Sequence, residues 1–246
     1  MRGIARIAFG VTLALSAAAV AAAEIPIRHR VVTIDVAGTV VPVPLAGRIT
    51  TTGNGAALDA RIFLAADLGA AQRQIEPILR ARLNRDDRCG ERIEVKRATV
   101  AAMAPAARVT VALSYGRSVC VTRDGKRYRT KLFEESGQMV FDITPGARDG
   151  VIVATVSVIS IKAGALLSAL LRDPKLLQPL VDRIANEAVI RIEALVPAAV
   201  WRIGPAFQRV AVTARDDGAL GLEIVAGKRM TPAALDALVA ALNGPS

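Results

Sequence analysis

Short runs of alternating apolar and polar residues organise this chain. Val32, Ile34 and Val36 fall on one face, with Thr33 and Asp35 on the other. Leu58, Ala60, Ile62 and Leu64 oppose Asp59 and Arg61, while Val109, Val111, Leu113 and Tyr115 oppose Arg108, Thr110, Ala112 and Ser114. A period of two with one wet face is the signature of antiparallel strands. Further strands are expected at 92–101, 126–133, 139–143, 150–161, 206–214 and 219–225. Asp124-Gly125 and Asp217-Gly218 each separate two strand-like runs and read as hairpin turns. The Gly- and Thr-rich stretch 46–56 reads as a loop.

Elsewhere the period changes to that of helices. After Asp67, residues Leu68, Ala71, Ile75, Ile78, Leu79 and Leu83 recur at three- and four-residue steps, with Pro77 inside the run as a kink. Asp173-Pro174 is a cap followed by a first-turn proline, and opens a long amphipathic helix that Pro197 ends. A short Ala/Leu helix over 163–171 leads into it. A last helix runs from Thr231-Pro232 to Gly244, with Leu235, Leu238, Val239 and Leu242 on one side. The order of elements predicts an α+β domain over 24–246, in which one strongly curved antiparallel sheet wraps long amphipathic helices. Strand, helix and two strands recur around 57–115 and 150–225, which sets up two related halves, 24–145 and 146–246, as an alternative organisation.

The first 23 residues stand apart. Arg2 and Arg6 precede an apolar run from Ile7 to Val20, and Ala21-Ala22-Ala23 precede Glu24. This is the layout of a cleavable export signal with the cut after Ala23, and the run is short for a membrane span of about 20 residues. The expected location is the periplasm or outside the cell. In such an oxidising compartment the two cysteines, Cys89 and Cys120, are expected to form one disulfide.

Charge narrows the class of partner. The chain has 32 basic and 22 acidic residues and only 3% aromatics. Without aromatic platforms for bases, and with an export signal, nucleic acid is a poor partner. The sharpest basic cluster surrounds the hairpin at Asp124-Gly125. Arg127, Arg129 and Lys131 share one strand face, Tyr128 and Leu132 point the other way, and Arg117, Arg123 and Lys126 are close in sequence. Such a cluster suits an anionic headgroup or membrane surface. An edge hairpin that uses charge to block strand-to-strand association has the same composition.

No catalytic constellation emerges. His29, the single histidine, sits between Arg28 and Arg30 with no nucleophile nearby in sequence. Ser118 lacks the second glycine of a nucleophile elbow, and Gly53-Asn54-Gly55 has Leu58 where a dinucleotide loop needs a third glycine. Neither metal-ligand spacing nor a cofactor motif is present, so a non-enzymatic protein is expected.

The strand Ala57–Ala66, the helix after Asp67 and the strands at 92–101 and 107–115 follow one another in a characteristic order. So do the long helix 174–196 and the strands at 206–225. This order resembles the tubular lipid-binding superfamily, of the bactericidal permeability-increasing protein type. The stretch Asp87-Arg88-Cys89-Gly90-Glu91-Arg92-Ile93, leading to Tyr115 and Cys120, is similar to segments of bacterial proteins of that shape. The resemblance implies a lipid or other hydrophobic ligand held between sheet and helices. Leu79, Leu83, Leu180 and Ile184 would line its site, and the basic hairpin would meet an anionic head. The alternative is an interaction module of the cell envelope with a packed core and a protein partner; a hydrolase is a third, weaker class.

Overall fold

The computed structural model describes residues 23–244 apart from 37, 55, 88 and 125. The expected export signal, save Ala23, lies outside the described residues. Ten strands and five helices follow in the order β1 (Ala23–Val36), β2 (Thr39–Asn54), β3 (Ala57–Asp67), α1 (Gly69–Leu83), β4 (Arg85–Asp86), β5 (Glu91–Met103), β6 (Ala106–Arg123), β7 (Lys126–Arg148), β8 (Val151–Ala163), α2 (Ala165–Arg172), α3 (Pro174–Leu195), α4 (Ala198–Arg202), β9 (Ala206–Ala214), β10 (Leu220–Met230) and α5 (Pro232–Asn243).

The strands form two antiparallel sheets, ordered β1-β2-β3-β10-β9 and β4-β5-β6-β7-β8, and one of them curls into a half-barrel. This corrects the expectation of a single curved sheet wrapped around long helices: the fold is mostly β, with five short helices. The apolar residues of the helices divide between two separate cores, one on each sheet, so no single sheet encloses them. The first sheet buries Val43, Ile49, Ile62 and Ile224 against the C-terminal end of α3, α4 and α5. The second buries Val95, Val111, Leu113 and Phe141 against α2, with Ile75, Leu79 and Leu83 of α1 and Ile184 of α3 packed at its margin. The central segment from β4 to β8 makes the second sheet whole, and flanking segments make the first. The boundary 145/146 falls inside β7.

Two local expectations also change. The stretch 46–56, read as a loop, is strand through Asn54, because Leu45–Asn54 pair with β3 on one side while Leu45–Thr51 pair with β1 on the other. Gly47 belongs there because strand packing is tight: a Cβ at that position would lie 2.4 Å from the Phe63 carbonyl oxygen. The strands expected at 126–133 and 139–143 are a single strand of 23 residues. The helix signals are as expected. Asp173 accepts a hydrogen bond from the Lys175 N–H at 2.9 Å, and Thr231 accepts from the Ala234 N–H at 3.3 Å.

Exposed strand edges invite pairing with other chains, and here those of β5 and β9 are occupied. Beside β5, α1 supplies the missing partners: Arg80 donates to the Val95 and Lys96 carbonyls, Glu76 accepts from the Ala98 N–H, and Asn84 accepts from the Val95 N–H. At β9, two hairpin turns of the second sheet complete the edge of the first. The Phe207 N–H donates to the Gly150 carbonyl and the Val212 N–H to the Pro105 carbonyl, each at 3.0 Å. Gln72 of α1 clips the sheets together. Its Oε1 accepts from the Leu220 N–H at 2.8 Å and its Nε2 donates to the Val100 carbonyl at 3.1 Å. Gln72→Leu leaves both backbone groups without that partner, so urea unfolding should show a loss of about 1–3 kcal/mol.

Candidate functional site

The β6–β7 hairpin is longer than its neighbours. β5 reaches β6 only as far as Arg117, and β8 reaches β7 only as far as Gly137. Beyond Arg117 and Phe133 the two strands pair only with each other, out to Arg123 and Lys126. Side chains on β6 alternate without interruption. Arg117, Val119, Val121 and Arg123 therefore continue the face on which Val109, Val111, Leu113 and Tyr115 are buried. Tyr128 is paired with Val121, and Lys126 with Arg123. The Tyr115 and Phe133 rings, 5.7 Å apart, sit where the covered face becomes an open one. Past them, Val119 (37% exposed), Val121 (52%), Tyr128 (52%) and Leu132 (56%) face solvent. The apolar face of the second core thus runs out onto an uncovered blade whose tip carries Arg123 and Lys126.

The opposite face of the blade is braced. Cys120 is disulfide-bonded to Cys89, with a Cα–Cα distance of 5.3 Å, and the Ser118 N–H donates to the Gly90 carbonyl at 2.8 Å. The loop before β5 is thereby pinned to β6 at the point where the hairpin leaves the sheet. Arg129, paired with Cys120, makes an ion pair with Asp86 at 3.0 Å, and Lys131 is bonded to Glu134. That lysine, first through its hydrogen bond and then through its charge, holds the Glu134 carboxyl below its ordinary value.

The residues expected to contact an anionic group are therefore divided. Arg129 and Lys131 are already committed to carboxylates on the braced face. Arg123 and Lys126 are exposed at the tip, where Arg123 lies 3.8 Å from Asp124. Arg117 is exposed at the base of the blade. The side chain of Arg127 lies outside the described residues, as does that of Leu180. Leu79, Leu83 and Ile184 pack on the second core. The apolar blade face was missed because Val119 and Val121 read locally as interior strand positions. Only the unequal strand lengths leave them uncovered.

Other chemistry is sparse. His29 is exposed on β1, beside a bulge between Ile27 and Arg30, and Ser118 is buried in the other sheet. Among the described residues, no His, Cys, Asp and Glu side chains gather as metal ligands, and no helix is long and apolar enough to cross a membrane. A groove of about 450 Å³ on the first sheet is lined by Thr50, Thr52, Asp59, Arg61, Gln208 and Arg229 among others. A smaller pocket of about 180 Å³ lies at the base of the blade. No family model, curated protein or solved structure matches the chain.

Two outcomes follow. The disulfide closes a loop with a sequence separation of 31. Cys89→Ser with Cys120→Ser should lower unfolding stability by roughly 3–4 kcal/mol on the chain-entropy relation, read by urea denaturation without reductant. In the same sheet, Arg108 grips Asp142 through two hydrogen bonds of 2.8 Å, which lowers the carboxyl's pKa. A depressed native pKa gives stability that is present above the unfolded value of about 4 and is lost as pH falls through the native one. Melting temperature should therefore fall on acidification below about pH 4, and Asp142→Asn should make that acid limb shallower.

Proposed function

We propose that this protein is a non-catalytic, lipid-binding component of the cell envelope that meets an anionic lipid surface through the β6–β7 blade. One observation carries the reading: an uncovered, mostly apolar strand face that extends the face of the core past Arg117 and ends in two exposed cations. Val119, Val121, Tyr128 and Leu132 lie among headgroups and upper acyl chains, and Arg123 and Lys126 face anionic heads. Magnitudes divide the labour. A basic side chain near an anionic membrane surface contributes about 1 kcal/mol, so two of them steer and orient more than they anchor. Apolar area leaving water contributes roughly 25 cal/mol per Å² before ordering costs, and the blade supplies that area from several large side chains. The brace on the opposite face keeps the blade extended, so little ordering is needed on contact.

The expected export of the chain agrees with this reading, since an envelope protein faces lipid headgroups on leaving the cytoplasm. A blade that meets an envelope protein instead is the alternative, and the same face would serve it.

Sedimentation with vesicles separates the two. The mature chain should pellet with vesicles rich in phosphatidylglycerol and much less with vesicles of phosphatidylcholine alone. Val121→Asp with Tyr128→Asp should abolish pelleting. Arg123→Glu with Lys126→Glu should reduce it to the phosphatidylcholine level. All four positions are exposed, so circular dichroism and melting temperature should stay unchanged. A wild-type chain that ignores both vesicles, or an aspartate variant that still pellets, overturns the proposal.

A further inference from the structure

The pocket at the base of the blade takes Gly116, Ser118, Arg129, Lys131 and Glu134 from the face opposite the apolar one, and Arg117 and Phe133 from the apolar side; Val119, Val121, Tyr128 and Leu132 do not line it, so its ligand is a separate question from lipid docking. Alternation puts Gly116 and Ser118 of β6 on that face. Arg92 lies beside Gly116 in register, and Glu134 and Lys131 lie beyond on β7. Arg92, Arg117, Ser118, Arg129, Lys131 and Glu134 line about 180 Å³. Four cations face one carboxylate, and Lys131 is already bonded to it.

We propose that this pocket binds a phosphate group. The two braced arginines are the main reason. Arg92 gives one nitrogen to Glu94 at 2.9 Å and Arg129 one nitrogen to Asp86 at 3.0 Å. A guanidinium has five N–H donors in a rigid plane. Each is therefore held in orientation by one acceptor and keeps donors for a second. Arg117 adds a third guanidinium whose side chain has no hydrogen-bond or ion-pair partner among the described residues. Ser118 adds a hydroxyl. That residue is buried, its N–H goes to Gly90, and its Oγ has no partner among the described residues.

The match is to a tetrahedral dianion. A phosphate monoester presents three terminal oxygens, which suit several arginine forks and a hydroxyl at once. A carboxylate offers two oxygens in one plane and leaves donors unused. The fixed arginines also reduce the ordering cost of binding. Glu134 is the carboxylate in the lining, and Lys131 neutralises it locally; Glu94 and Asp86 are engaged by Arg92 and Arg129 outside the lining. Inorganic phosphate and the headgroup of a phosphatidic acid share the recognised chemistry.

Calorimetric titration of the mature, disulfide-intact chain with each ligand tests the site, using inorganic phosphate and water-soluble dihexanoyl phosphatidic acid. Saturable one-to-one binding of at least one is expected. Binding of phosphate alone assigns a soluble ligand, and binding of the lipid alone assigns a headgroup. Arg117→Ala should weaken whichever binds by about tenfold or more, the loss of one charge-assisted hydrogen bond. Glu134→Gln should tighten it, an effect of opposite sign that general damage to the fold does not produce. The Val121→Asp, Tyr128→Asp chain should bind phosphate like the wild type, so the two proposals fail separately. No saturable heat with either ligand, or an Arg117→Ala chain that binds like the wild type, overturns the assignment.

Discussion

A pair of β-strands extends as far as its ladder allows, but its faces stay dry only as far as neighbours cover them. In this protein β6 and β7 outrun those neighbours at one end, and much of the molecule is arranged around that mismatch. At the other end, the turns that flank the pair, at Pro105 and Gly150, close onto the edge of β9 and join the second sheet to the first. The pair is therefore a beam, fixed at the sheet junction and free beyond Arg117 and Phe133. Buried along its middle by α1, α2 and α3, its apolar face emerges at Val119 and Val121, whose side chains are exposed.

The two faces of the free end have opposite chemistry. One is apolar with cations at the tip, and the other is held by a disulfide and ion pairs. Without the second, the first would be a flexible exposed hairpin, since an isolated two-stranded ribbon is marginally stable in water. Bracing also sorts the basic residues. Arg129 and Lys131 lean on Asp86 and Glu134 and are ordered by them, whereas Lys126 is exposed at the tip and Arg123 meets its neighbour Asp124, at 3.8 Å. A run of positive charge that looks uniform in sequence thus becomes two populations, one held by carboxylates on the braced face and one exposed at the tip.

Much of the local structure was legible. The helix starts at Asp173 and Thr231 hold because a capping oxygen and a following proline act within one turn. The Asp124 turn, where that residue takes a φ of 52°, and the pairing of the two cysteines were equally local or compositional signals. Strand lengths were not legible. The Thr-rich run of β2 and the Glu134–Gly137 segment of β7 have little apolar alternation, and they are strand because β3 and β1 flank the one and β6 pairs with the other. The acid that engages Arg129 was equally hidden, since Asp86 meets it only through the folded path of a loop.

By itself, then, the sequence determined which residues prefer strand or helix, where turns and caps fall, and that the two cysteines pair. Those choices rest on interactions spanning a few residues, or on having a single available partner. Only the tertiary structure decided that the strands divide between two sheets, that α1 completes the edge of β5 while Gln72 bridges the two sheets, and that β6 and β7 project past their cover. Backbone hydrogen bonds between strands carry no residue-specific label. Partner choice and strand length are settled by which apolar faces can be buried together, and the uncovered face of the hairpin is what that settlement leaves exposed.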